Sequence, residues 1–337
     1  KQYYDDVNGS WFLVSGGLFP DILANNSFDV HNLILKGTSN FCLTADQGTN
    51  STTSGSFNDL SHGMLCGKIT CYWATQFSIR NVKISGATVK GNIPYIGGMV
   101  GRLLSETDVS IQTCGYEAVT VSGYQNVGGL IGGYKGDFDG SSVTIQDISC
   151  SGGTILVPTE YGRGMSDTDL FGTGGLVGYL TAGTSTICNV TLQGENTIRN
   201  DGKYGGYVDI GIGALVGLWC PRSSATAQDI AITGTFTITG NNRSSIGCLS
   251  GYVCRPNDLN NWGTNTDGIQ FTASGIHIGQ DEGSKVSITG NQVGGLVGMY
   301  KSGAQGTNHF TMKQIHQRNI TLTGNTNEGS VGGLVGI

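Results

Sequence analysis

Apolar and polar residues alternate in short runs that recur along the chain. One run is Phe77-Ser-Ile79-Arg-Asn81-Val82-Lys-Ile84, and similar runs lie at 143–150, 187–192 and 227–232, each with Asn or Asp at the same place. A period of two is typical of strands with one buried face, and no stretch shows the period of an amphipathic helix. The pattern predicts an all-β protein in which Ile79, Val82 and Ile84 point inward.

A five-residue phrase of the GGLVG type follows these runs. Copies begin at residues 97, 128, 174, 213, 247, 294 and 332, at steps of 31, 46, 39, 34, 47 and 38 residues. Degenerate copies begin near 16 and 63, and 28–37 matches 77–86 position for position. Repetition at this period indicates units that stack on one another. We therefore expect one β-solenoid domain over 1–337, with degenerate coils in 1–75 and regular coils in 76–337.

A third phrase, a short strand that closes on Gly-Asn, completes the unit, as in 236–241, 286–291 and 320–325. Three short strands cannot bury their own apolar face, so neighbouring units must stack. The sequence predicts a right-handed parallel β-helix of about nine coils, with three strands per coil and a height of about 40 Å. The paired glycines should form a column of close backbone approach, and the Gly-Asn turns should adopt positive φ and stack their asparagines.

The pentapeptide resembles the GLUG motif, the GGLVG-type repeat of extracellular bacterial proteins that include surface proteins and IgA-cleaving peptidases. The resemblance covers the chain from about residue 77 onward. It implies a secreted or surface β-solenoid. It implies no activity, because the HExxH zinc chemistry of the peptidases lies outside the repeat and this sequence has no HExxH.

Composition narrows the possible partners. Glycine accounts for 57 residues and proline for 5, without the G-X-Y period of collagen. The net charge is −6 and the Lys and Arg residues are scattered, which argues against nucleic acid as a partner. No apolar run reaches the ~20 residues of a membrane span, so we expect no membrane insertion.

Nine cysteines in a chain rich in Ser and Thr indicate an oxidising compartment outside the cell. Neither CxxC nor HExxH is present, and we expect no metal and no cofactor. Cys220 and Cys254 each lie three residues after a closing glycine, which predicts adjacent positions in neighbouring coils and a disulfide. The alternative is two buried thiols. Cys42, Cys66 and Cys71 lie in the first coils and should hold one further bridge.

Six N-x-S/T sequons are possible N-glycosylation sites. They are Asn8, Asn25, Asn50, Asn189, Asn242 and Asn319. Chance predicts about five sequons in a chain of this composition, so their number leaves the occupancy open.

Two further groups of residues bear on function. Acidic residues lie mainly in the longest insertions and could serve a glycosidase, but we favour solvated turns as their explanation: Asp137, Asp139, Glu160, Asp167, Asp169 and Asp209. Aromatic residues follow the closing glycines by one or two positions: Tyr134, Tyr179, Trp219, Tyr252 and Tyr300. A vertical ladder of these rings would either stack on sugars or pack on itself. No catalytic residue is assigned.

The repeat fills the chain and no charged site is concentrated, which favours a structural protein of the cell surface or extracellular space, and not an enzyme. Apolar segments at both ends have two explanations: the sequence is cut from a longer repeat array, or copies stack head to tail into a filament or stalk. We favour the second. The residues are Trp11, Phe12 and Leu13 at one end and Leu334, Val335 and Ile337 at the other. An adhesin or glycan-binding surface is the alternative, followed by a polysaccharide-degrading β-helix enzyme.

Overall fold

The computed structural model describes eleven segments of the chain. They are 2–5, 10–13, 16–41, 60–72, 76–136, 140–159, 171–202, 210–255, 268–301, 308–325 and 329–336. Within these segments every regular element is a strand, and none is helical. The strands are β1 Gln2–Asp5, β2 Ser10–Leu13, β3 Phe19–Ala24, β4 Ser27–Phe41, β5 Ser61–His62, β6 Cys66–Cys71, β7 Gln76–Gly91, β8 Tyr95–Gly97, β9 Val100–Ser105, β10 Val109–Gln112, β11 Gly115–Ser122, β12 Asn126–Gly128, β13 Ile131–Gly136, β14 Ser142–Val157, β15 Phe171–Gly174, β16 Val177–Gln193, β17 Glu195–Asn200, β18 Ile210–Gly213, β19 Val216–Ile232, β20 Thr235–Gly240, β21 Ser244–Gly247, β22 Ser250–Cys254, β23 Gln270–Ile278, β24 Lys285–Gly290, β25 Gln292–Gly294, β26 Val297–Lys301, β27 His309–Gln317, β28 Ile320–Gly324 and β29 Ser330–Gly332.

Strands β3 to β29 build two stacked parallel sheets. Eight short strands, each ending at or just before a GGLVG-type phrase, form one sheet in the order β29-β25-β21-β18-β15-β12-β8-β5. The other 19 strands form the second sheet, which winds around the rest of each coil. The prediction of an all-β parallel solenoid is confirmed.

The phrases align as the sequence predicts. Gly97 pairs with Gly128, Gly128 with Gly174, and Gly174 with Gly213. At the first level the register is shifted by one residue, because Gly16 bridges His62 and not Gly63, and it returns to the predicted one where Phe19 pairs with Cys66. The phrase therefore recurs at nine levels of the stack, one for each unit counted from the sequence.

The coil differs from the expected three separate strands. The second and third phrases run together in long strands, such as β7, that bend at residues in the left-handed region. Asn81, with φ of 50°, makes the first bend in β7 and lies between the inward residues Ile79 and Val82. The bend explains why these two core residues are three positions apart instead of two.

Asn and Asp fill this bend in most coils and form a vertical column. Asn32, Asn81, Asp147, Asn189 and Asp229 align in register and have φ between 50° and 60°. These residue types tolerate the left-handed region better than other non-glycine residues. The Nδ2 of Asn81 donates to Asn32 Oδ1 at 2.7 Å, and the Nδ2 of Asn189 donates to Asp147 Oδ1 at 2.5 Å. The stacked polar side chains thus lie at the first bend of the long strands, and not at the Gly-Asn turns where the sequence predicts them.

The Gly-Asn turns do not adopt the expected conformation. Gly240, Gly290 and Asn291 are absent from the positive-φ residues among the described segments. Gly240 and Gly290 end strands β20 and β24 and remain extended, so their small size serves the core: a Cβ at Gly240 would collide with Ser244, and one at Gly290 with Ile246.

Glycine has a specific task at the first position of the GGLVG-type phrase. There the chain reverses between two strands of one coil, and a Cβ on Gly174 would collide with the carbonyl oxygen of Val177, three residues later. Every one of the nine copies has glycine at this position. The second position is less strict, because Met64, Ala214 and Cys248 occupy it in three copies.

One continuous apolar core fills the solenoid from β3 to β27. Ile79, Val82 and Ile84 have no exposed surface, as the alternation predicts. Trp219 is the largest fully buried side chain, and its Nε1 donates to Ser185 Oγ at 2.7 Å. The small residues Ser185 and Ala225 leave the volume that this ring occupies, because they replace the phenylalanines found in the same column at Phe77 and Phe271.

Candidate functional site

Large exposed apolar side chains concentrate in the first and last coils. Among the described residues seven such side chains are exposed, and six of them lie in these two coils: Leu18, Phe19, Leu23, Ile34, Val331 and Leu334. Leu18 is 63% exposed and Leu334 is 42% exposed, whereas their equivalents Leu65 and Leu296 are fully buried. At the position of Leu18 and Leu334, the end coils therefore present the apolar column that the interior coils bury.

The end coils also present unpaired main chain along their outer edges. In the interior, each level donates to the next, as Leu65 N does to Met99 O at 3.0 Å and Leu296 N to Leu334 O at 2.9 Å. At this position of the phrase the last level therefore presents the N–H group of Leu334 and the first level presents the carbonyl oxygen of Leu18, while the rest of each parallel edge carries both N–H and carbonyl groups. These two edges are complementary in hydrogen bonding as well as in apolar surface.

The two ends are offset by one strand. The column of phrase strands has nine levels, from Gly16 to β29, whereas the column that begins with β4 and ends with β27 has eight. Val335 bridges Val297 and thereby starts a ninth level that the longer strands do not complete.

The predicted N-terminal contact residues lie apart from the stack. Trp11, Phe12 and Leu13 belong to β2, which pairs antiparallel with β1 in a separate two-stranded sheet. Residues 14 and 15, which connect this segment to the first phrase, lie outside the described residues. Ile337 lies outside the described residues.

The first coil is tied to the second by an ion pair on the solenoid surface. Arg80 Nη2 lies 2.7 Å from Asp29 Oδ2, and Ser78 Oγ donates to Asp29 Oδ1 at 2.5 Å. The hydrogen bonds from Arg80 and Ser78 lower the pKa of the Asp29 carboxyl from its usual value. Asp29 is thereby held ionised at the edge of the stack.

Cys220 and Cys254 occupy neighbouring coils in the predicted register. Trp219 pairs with Val253, which places the following cysteines side by side, and their Sγ atoms are 3.2 Å apart. Both are fully buried in a small second core, on the outer face of β19 and β22, with Leu218 and Tyr252. The distance is a contact, longer than the ~2.05 Å of a disulfide bond, and the bond itself stays a prediction.

The further bridge expected in the first coils is restricted by geometry. Cys66 and Cys71 are the two ends of β6, so their Cα atoms lie about 16 Å apart, far beyond disulfide reach. A disulfide between Cys66 and Cys71 is therefore excluded. Only Cys42 could pair with one of them, and it lies outside the described residues.

The other thiols are chemically quiet. Burial raises the pKa of Cys66 and Cys248 to about 12, and that of Cys71 and Cys114 to about 11. Cys188 is half-buried and faces outward between Gln146 and Gln228. Burial and the nearby carboxylates of Asp147 and Asp229 raise the pKa of Cys188 as well. Since the thiolate is the reactive form, all these thiols should react slowly, and Cys188 should react first because the other thiols of the described segments are buried.

Four of the six sequons lie within the described residues, and all four asparagines are exposed. Asn25 lies in the bend between β3 and β4 and Asn242 in the turn after β20. Asn189 and Asn319 are in the left-handed region, and the Nδ2 of Asn319 donates to Gly279 O at 2.9 Å. Asn8 and Asn50 lie outside the described residues. Glycosylation stays a prediction at all six.

The predicted aromatic ladder does not form. Tyr134 and Trp219, two residues after the closing glycine, point into the main core, whereas Tyr179 and Tyr252, one residue after it, lie on the outer face. A one-residue offset reverses the face of a strand, which separates the two sets. Tyr134, Trp219 and Tyr252 are fully buried, so they offer no stacking surface for sugars.

The acidic candidates Asp137, Asp139, Glu160, Asp167, Asp169 and Asp209 all lie outside the described residues. Within the described segments, no group of three His, Cys, Asp or Glu side chains is placed to hold a metal ion. The same segments contain no helix long and apolar enough to cross a bilayer.

Comparison with known proteins gives one partial similarity. A stretch of 178 residues is 29% identical to Halomucin from Haloquadratum walsbyi, which covers 53% of this chain and 2% of that protein. The chain thus spans about 2% of the length of the relative that it matches. No family model and no solved structure matches the chain. The resemblance to the GLUG repeat accordingly rests on the pentapeptide alone.

Proposed function

We propose that this chain is a structural segment of an extracellular or cell-surface protein, and that its coils stack end to end on a second copy to form a filament or stalk. The observation that carries the proposal is the exposure of one core column at both ends: Leu334 at the top and Leu18 at the bottom occupy the same position of the repeat. The partial similarity to Halomucin is consistent with a surface location.

The proposed contact has a defined register. Leu334 of one copy lies over Leu18 of the next, and Val335 over Phe19, which continues the column that interior coils form with Leu296 and Val297. The amide of Leu334 then donates to the carbonyl of Leu18, as Leu296 N does to Leu334 O within the chain. Apolar surface is buried and edge hydrogen bonds are satisfied together.

This register leaves room for one strand between β27 of one copy and β4 of the next, because the phrase column is one level longer. The segment that precedes the first phrase, with Trp11, Phe12 and Leu13, reaches this level along the winding of the chain. We assign it to this gap, where β2 would exchange its pairing with β1 for pairing with two longer strands. A head-to-tail contact of this kind is heterologous and does not close, so it builds a filament.

Light scattering of Leu334→Lys tests the proposal. A charge in the apolar column should abolish assembly at concentrations where the unmodified chain assembles, without changing its melting temperature. Ile34→Lys is the matched control, since Ile34 is 67% exposed but lies on the lateral face of the first coil. Assembly that survives Leu334→Lys, or that Ile34→Lys abolishes equally, contradicts the proposal.

A further inference from the structure

A depression of about 370 Å³ lies in one lateral face of the solenoid, between the two bends of the first coils. Its lining includes Lys36, Lys83, Gly115, Glu117 and Ser149. We propose that it binds a saccharide that carries a carboxylate group. The proposal is independent of end-to-end assembly, because the depression lies on the side of the stack.

The depression results from a step in one outward column of side chains. Ile34 pairs with Lys83, Lys83 with Gly115, and Gly115 with Ser149. Along this column the long side chains of Ile34 and Lys83 are followed by Gly115, which has no side chain, and then by the short side chain of Ser149. A Cβ at Gly115 would collide with the carbonyl oxygen of Ser149, so the close packing of β11 on β14 keeps this position open.

Two cations border the depression. Lys36 and Lys83 lie on adjacent strands two positions apart, which places their Cα atoms about 8 Å from each other. Within the described residues, neither ammonium group takes part in an ion pair. Two lysines outnumber the single carboxylate of Glu117 in this lining, and in a chain with a net charge of −6 such a local excess of positive charge favours an anionic ligand.

Side chains, and not the main chain, must recognise this ligand. Strand β11, which forms the floor, is paired with β7 on one side and with β14 on the other, so no strand edge is open to a peptide. Hydroxyl and carboxylate groups at Ser85, Ser149 and Glu117 can instead bond to hydroxyl groups. The exposed aliphatic surface of Ile34 can pack on the C–H face of a sugar ring.

The volume limits the size of the ligand. Small-molecule sites occupy about 300–1,000 Å³, and this depression is at the lower end of that range. It has room for one or two sugar rings. A ring with a carboxylate on the lysines and hydroxyls toward the serines and Glu117 uses the charged groups and the hydroxyls of the serines that line the depression.

Calorimetric titration of the full chain with di- and trigalacturonate tests the site. We expect binding of both, and about tenfold weaker binding for each of Lys36→Gln and Lys83→Gln. Ser149→Trp should abolish binding by filling the depression from an exposed position. Lys90→Gln is the matched control, because Lys90 is exposed on β7 beyond the second bend, and it should bind as the unmodified chain does. Thermal melting of each variant verifies its fold.

Three outcomes overturn the proposal. The first is no heat of binding with either galacturonate at millimolar concentration. The second is equal affinity for neutral galactose oligomers, for the sulfated analogues or for a glutamate oligopeptide, which would remove the specificity for a carboxylated sugar. The third is unchanged binding in Lys36→Gln, Lys83→Gln and Ser149→Trp. The same titration of Leu334→Lys, which should not assemble, separates this result from the fate of the assembly proposal.

Discussion

The Sγ atoms of Cys220 and Cys254 lie 3.2 Å apart, across neighbouring coils and without exposure to solvent. Thirty-four residues separate the two cysteines along the chain. Conversion of these two thiols into a disulfide removes two electrons and two protons. An extracellular compartment supplies the oxidant, as oxidised thiol pairs or oxygen.

We predict that Cys220 and Cys254 are linked when the protein resides in an oxidising compartment. Non-reducing peptide mapping should recover one cross-linked peptide pair, and removal of the bond by Cys220→Ala with Cys254→Ala should lower the free energy of unfolding by about 3–4 kcal/mol. Half-buried Cys188 is the internal control and should react with iodoacetamide in the native protein. Recovery of both Cys220 and Cys254 in alkylated form, under the same native conditions, would refute the link.

The buried thiols predict a loss of stability at alkaline pH. An unfolded thiol titrates near 9.0, whereas burial raises the pKa of Cys248 to about 12. The unfolded chain therefore loses this proton at a lower pH than the folded chain does. The contribution of the buried, protonated thiol to the free energy of unfolding is fully present below pH 9 and declines as the pH rises toward 12. For Cys248 the slope is about 1.4 kcal/mol per pH unit.

Urea unfolding between pH 8 and pH 10.5 measures this slope. Cys248→Ala should lower this slope by about 1.4 kcal/mol per pH unit and leave the share of the other buried thiols. The variant should fold, because Ala214 occupies the same position of the phrase in the preceding coil. An identical slope in the variant and the unmodified chain would show that the Cys248 thiol is not responsible.

The two adjacent glycines of one phrase should differ in their tolerance of a methyl group. Gly174→Ala should destabilise the fold by about 2–3 kcal/mol, because its Cβ collides with the carbonyl oxygen of Val177 inside a tight reversal of the same coil. Gly175→Ala should change stability by less than about 1 kcal/mol. Its Cβ meets the carbonyl of Ala214 in the next coil, but coils with Ala214 and Cys248 at this position show that the spacing can adjust.

Chemical denaturation of the two variants, side by side, decides the point. Equal destabilisation by Gly174→Ala and Gly175→Ala would mean that the glycines are required by the contact between coils, and not by the chain reversal within one coil.

The sequence predicts the stack well because the phrase is a fixed reference in every coil. All nine copies have the first glycine, so counting from it places Cys220 beside Cys254. Gln146 and Cys188 align instead through the Asn or Asp that follows each of them in the alternating run. Counting fails where one residue decides the face of a strand. Tyr179 and Tyr134 differ by one position from the closing glycine, and this difference puts one outside and the other in the core.

The bends were harder to predict. In a regular strand the inward residues are two positions apart. A residue in the left-handed region, such as Asn81, increases this spacing to three, as between Ile79 and Val82. The invariant three-residue spacing across this Asn or Asp was the available signal. The lateral depression had no signal of its own, because Lys36, Lys83 and Gly115 come together only through the register of three coils.

Electron microscopy of the unmodified chain tests the central proposal most directly. Stacking of Leu334 on Leu18 adds nine levels of ~4.8 Å per copy, so the account predicts unbranched filaments with an axial repeat of about 43 Å. Monodisperse particles of single-chain size, at concentrations well above those used for light scattering, would contradict end-to-end assembly.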